Sequence, residues 1–132
     1  MLFTLEDRTH LAAAKNWLQS GEWERSKEEL EEISPCCRVR SEVLRLRVEI
    51  YEFSGNPEAA LVLGEALTDW QHADAGLFVA LARCCVRVGR QDYAQDWLGQ
   101  ALSRDSTDGF RLRLREDPVL ASLWTKAGYA KV

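Results

Sequence analysis

At 132 residues, with 46% apolar and 29% charged side chains, the chain is long enough to bury one core and too apolar for disorder. A net charge of −4 leaves no basic footprint for sequence-independent DNA binding. The first seven residues lack the basic segment and apolar core of a secretory signal. No apolar run approaches the roughly 18–20 residues of a membrane span. A cytoplasmic location with four reduced cysteines is the expectation.

In chain order, the apolar spacing predicts helices over 5–20, 22–33, 40–54, 57–71, 75–88 and 90–103. Thr4 with Asp7 three residues on forms a capping box for the first. Gly21 ends that helix, and Ser34-Pro35 ends the second. Gly55 ends the third, and Asn56-Pro57-Glu58 reads as N-cap, first helical residue and dipole-matching acid of the fourth. The expected buried stripes run through Val43, Leu44, Val48 and Tyr51, through Leu61, Val62, Ala66 and Trp70, and through Tyr93, Ala94, Trp97 and Leu102. His72-Ala73-Asp74 separates the fourth helix from the fifth, and Gly89 ends the fifth. The segment Phe110-Arg111-Leu112-Arg113-Leu114-Arg115 alternates with period two. A lone strand would have nothing to pair with, so a short helix is expected there. Asp117-Pro118 then begins a further short helix, and 109–127 forms a cap whose Val119, Leu120, Leu123 and Trp124 cover the last hairpin.

Gly21, Gly55 and Gly89 lie 34 residues apart, and the columns around them recur. Five residues later stand Ser26, Ala60 and Ala94, all small; nine later, Leu30, Gly64 and Leu98; twelve later, Ile33, Leu67 and Ala101. Four earlier stand Trp17, Tyr51 and Cys85. A glycine tolerates the left-handed turn that reverses the chain. A small residue five later lets antiparallel helices approach, and a ring fills the space before the turn.

This period, the glycine-to-small step and the segment Asp92 to Leu102 resemble the tetratricopeptide repeat. His10 to Leu18 together with Asp117 to Trp124 is similar to small bacterial proteins of that type, without assigned activity. The resemblance implies an all-α, right-handed superhelix in one domain. Its three helix-turn-helix repeats would span about 5–35, 39–72 and 74–106, ahead of the cap. It also implies a protein- or peptide-binding scaffold, partner unidentified, without catalysis or cofactor. A small secretion-type chaperone for one client and a self-associating assembly unit are the alternatives. The binding wall would come from the first helix of each hairpin: Arg8, Lys15, Arg45, Glu49, Phe53, Arg83 and Arg87, with Leu11, Leu18, Gln19, Glu42, Glu52, Val79 and Val86. Five of these side chains are basic and three acidic, which would steer an acidic peptide or a free carboxylate. The carboxylate clamp of co-chaperone members is missing, because Leu11 and Lys15 occupy its first pair.

The remaining constellations have plainer readings. Cys84 and Cys85 are expected to point about 100° apart on a helix and so cannot share an ion. Cys36-Cys37, in a connection, could meet one ion with His10 or His72, although small apolar filler is the reading adopted for all four cysteines. Two histidines, each near a different hairpin, make a poor nucleophile-base pair. The acidic run 28–32 is a solvated face. Arg38, Arg40, Arg45, Arg47, Arg111, Arg113 and Arg115 serve salt bridges rather than nucleic acid, and the five tryptophans pack hairpins and cap.

Overall fold

In the computed structural model, which describes residues 3–69 and 73–124, every regular element is helical. The three repeat glycines share one conformation, with φ of 80°, 84° and 82° at Gly21, Gly55 and Gly89. The same pair of hydrogen bonds closes each turn. The amide of the residue after the glycine donates to the carbonyl five back: Glu22 to Trp17 at 2.9 Å, Asn56 to Tyr51 at 2.9 Å, Arg90 to Cys85 at 2.8 Å. Each glycine amide donates three back, to Leu18, Glu52 and Val86. This is the Schellman stop, which satisfies carbonyls that the ending helix leaves open. A β-carbon at any of the three would meet nothing within 4 Å, so glycine is required by its backbone angle and not by space.

The chain divides into two compact units, Met1–Leu67 and Thr68–Val132. In the first, α1 (Leu5–Gln19), α2 (Trp23–Glu31), a 3-10 turn (Pro35–Cys37), α3 (Ser41–Phe53) and α4 (Pro57–Ala66) follow in order. α1 packs on α2 and α3 on α4, and both helices of the first hairpin touch α3. The capping box is present: Asp7 donates its amide to Thr4 Oγ1, and Thr4 donates its own to Asp7 Oδ2, each at 3.1 Å. Asn56 Oδ1 accepts from the Ala59 amide, with Pro57 in the first turn. The core joins Leu11, Ala14 and Leu18 of α1 to Leu30, Ile33 and Cys37, and to Val43, Leu46 and Ile50 of α3. Helical spacing of three and four places these on one face of each helix. The small column fits between helices: Ser26, Ala60 and Ala94 are completely buried. In Ser26 the extra hydroxyl is satisfied by donating to the Ala14 carbonyl at 2.8 Å.

Along α4 and its C-cap, Leu61 is buried as expected, joined by Ala60, Gly64 and Leu67, but Val62 is 75% exposed and Ala66 is also exposed. Val62 lies two residues past the small contact residue Ala60, about 200° around the helix. α4 closes at Ala66 because its end tightens, Leu67 donating to the Gly64 carbonyl three back. Trp70, residue 71 and His72 lie outside the described residues.

The second unit contains α5 (Ala75–Arg87), α6 (Gln91–Arg104), α7 (Asp108–Glu116) and α8 (Ala121–Trp124). Asp74 caps α5 by accepting from the Leu77 amide at 2.9 Å. α5 is buried along most of its length, Leu77 through Ala82 with Cys84 and Cys85, and α6 packs Ala94, Leu98 and Ala101 toward it. Tyr93, expected in the buried stripe, is 62% exposed, because it lies one residue before the buried Ala94, about 100° around the helix.

Thr107 caps α7 by accepting from the Phe110 amide. The alternating segment is helical, with Phe110 and Leu114, four apart, buried and Leu112 on the outer side. The short helix expected from Asp117-Pro118 starts later, at Ala121, because Asp117 Oδ1 first accepts from the Val119 amide in a tight turn. Leu120 and Leu123 are completely buried. The side chain of Trp124 and residues 125–127 of the expected cap lie outside the described residues. No described helix is long and apolar enough to cross a membrane.

Candidate functional site

The charged residues expected on a binding wall begin with Arg8 and Lys15, seven apart and exposed on α1. On α3, the Arg45 guanidinium lies 3.1 Å from Glu49 Oε1 one turn on, so part of the expected positive charge is already offset. Phe53, at the end of α3, is 56% exposed, more so than Tyr51, the other ring of that helix. α1 and α3 are neighbours in the first unit, so these five side chains belong to adjoining helices. In the second unit, Arg83 Nη1 is 3.3 Å from Asp117 Oδ2, joining α5 to the segment after α7, and Arg87 is exposed. Leu11, Leu18, Glu52 and Val79 are buried and do not form part of an outward-facing surface.

Three polar contacts, two of them long-range, were not legible from spacing. The Asp7 carboxylate is almost completely buried. Besides capping α1, it accepts from the Ser34 amide at 2.9 Å and the Ser34 hydroxyl at 3.0 Å. These bonds, chiefly that from the Ser34 amide, hold its pKa at about 2, against the opposing effect of burial. The second contact is His10 Nδ1 with Glu29 Oε2, 2.8 Å apart, bridging α1 to α2. The hydrogen bond to Glu29 raises the imidazole pKa, burial lowers it, and the charges of Glu29, Glu32 and Glu6 add to the rise. The third is the pair of Cys36 and Cys37 thiols, 3.7 Å apart in the 3-10 turn. Only the first had any sequence signal, in the Thr4–Asp7 capping box and the Ser34-Pro35 break.

The tryptophans within the described residues are half-buried at hairpin positions. Arg25 lies over the Trp17 ring at 4.7 Å, and Trp97 meets Phe78 at a centroid distance of 5.6 Å. Among the described residues no three His, Cys, Asp or Glu side chains converge as a metal site would require. Set beside family models, curated proteins and solved structures, the chain matches none of them.

Proposed function

We propose that the chain is a tetratricopeptide-like scaffold that binds a protein or peptide through the exposed sides of the first helix of each hairpin. One observation carries the reading: three left-handed glycine stops, 34 residues apart, each closed by the same two hydrogen bonds and each followed five residues later by a completely buried small side chain. Such hairpins leave an apolar stripe that a neighbouring hairpin must cover. In the first unit α2 and α1 both lie on α3, the arrangement that stacking of two repeats requires. The outer sides of α1 and α3 then carry the exposed Arg8, Lys15 and Phe53, with the Arg45–Glu49 pair one and two turns before Phe53. That combination suits an extended peptide with acidic side chains and an apolar anchor. Arg83 and Arg87 are the corresponding cations of α5.

The test is affinity capture of partners from the native host by the intact chain, repeated with one charge reversal per unit, Arg8→Glu and Arg87→Glu. Both sites are exposed, so neither reversal disturbs a core. Loss of a captured protein at low salt with either variant supports the reading. Undiminished capture by both variants and by Phe53→Ala removes it.

A further inference from the structure

The Cys36-Cys37 pair is the strongest remaining feature, because the fold holds an exposed thiol, open to a ligand, against a buried one. Cys36 is exposed and Cys37 lies beneath it at the edge of the first unit's core, with 3.7 Å between their sulfurs. The turn that carries them is fastened on both sides. Ahead of it, Ser34 is held by the Asp7 carboxylate. Within it, the Cys37 amide donates to the Ser34 carbonyl at 2.8 Å. Behind it, the Arg38 guanidinium donates to the carbonyls of Ile33 and Glu31. The other adjacent pair, Cys84 and Cys85, is shut inside α5.

Three things could join two such sulfurs. A disulfide is disfavoured: neighbouring Cα atoms stand about 3.8 Å apart across a trans peptide, below the roughly 4.4–6.8 Å that disulfides prefer. A tetrahedral zinc ion fits the separation, since two bonds of about 2.3 Å at the tetrahedral angle span about 3.8 Å, but zinc needs further protein ligands. Among the described residues none converge there. A trivalent arsenic centre bearing one organic substituent requires two sulfurs and nothing more.

We infer that Cys36 and Cys37 form a paired-thiol site for monosubstituted trivalent arsenic, the thiophilic species whose valence the two sulfurs complete. In its hydrated form the arsenical carries two hydroxyls. Each thiol displaces one hydroxyl, its proton leaving with that hydroxyl as water. Two As–S bonds replace two As–O bonds, and arsenic stays trivalent throughout. Entry is from the exposed Cys36 side, with Cys37 closing the ring second. The pre-set spacing makes the second step intramolecular, so the adduct resists single thiols, which must displace both bonds.

The test uses the full reduced chain and phenylarsine oxide, with glutathione in large excess, read by intact-mass spectrometry and peptide mapping. The expected result is one phenylarsenic adduct that survives glutathione, is stripped by dimercaptopropanol and maps to the peptide containing residues 36 and 37. Cys36→Ser, at an exposed position and with circular dichroism unchanged, should lose the glutathione-resistant adduct. An adduct that glutathione removes from the native chain would overturn the assignment. So would one that persists in Cys36→Ser or maps to Cys84 and Cys85.

Discussion

Gly89→Ala and Gly99→Ala, made in the same unit, separate the conformational role of a turn glycine from the ordinary cost of glycine in a helix. Gly89 sits at φ 82° with open space where a β-carbon would go, so the only penalty of alanine there is the left-handed backbone. That penalty is about 1–2 kcal/mol, offset by about 0.4–1 kcal/mol from the stiffer unfolded chain. The net is a loss of roughly 0.5–1 kcal/mol. Gly99 lies within α6, exposed, and a β-carbon there also meets nothing. Alanine at Gly99 should therefore add about 0.5–1 kcal/mol. At about 3–6 °C per kcal/mol for a chain of this size, the two melting temperatures should move in opposite directions and stand roughly 5 °C apart. Thermal unfolding followed by circular dichroism at 222 nm measures this. Gly89→Asn should lose less than Gly89→Ala, since asparagine enters the left-handed region more readily. If Gly89→Ala is no less stable than Gly99→Ala, the repeated glycine is not acting through its backbone angle and the account of the 34-residue period fails.

Other outcomes follow from the buried contacts. Asp7 has its carboxyl held at about 2 in the fold against an ordinary 3.8, so its stabilising effect is complete above pH 3.8 and disappears as pH falls toward 2. Asp7→Asn should lower the urea midpoint at pH 7 and flatten its decline between pH 4 and 2. His10 has the opposite sign: its pKa is raised above 6.5, so the His10–Glu29 contact stabilises fully below 6.5 and fades as pH rises through the folded value. Glu29→Gln should bring the His10 titration, followed by NMR, down toward the ordinary value. Ala94→Leu overfills a completely buried site between α5 and α6 and should cost about 1–3 kcal/mol in denaturant melts. Ser26→Ala should cost less than about 1 kcal/mol, because the column accepts alanine at positions 60 and 94 and only one hydrogen bond is removed.

How far the chain can be read without coordinates depends on the range of each interaction. The glycine stops, the Thr4–Asp7 box, the Asn56 cap and the helicity of 108–116 are decided within four or five residues, by backbone angle, side-chain reach and helical period. Those were legible, as was the interior place of Ser26, Ala60 and Ala94, because a 34-residue recurrence repeats one packing requirement three times. The outward turn of Val62 and Tyr93 was not, since an apolar residue at helical spacing fits either edge of a stripe until the neighbouring helix picks one. Arg45, expected to serve a salt bridge, meets Glu49 one turn on, but it was not legible that Arg83 meets Asp117, 34 residues away, or that Asp7 reaches Ser34, 27 residues away. Packing within each unit decided those two long-range contacts, because a charge or hydroxyl on a helix finds a distant partner only when another segment is brought within about 3 Å of it.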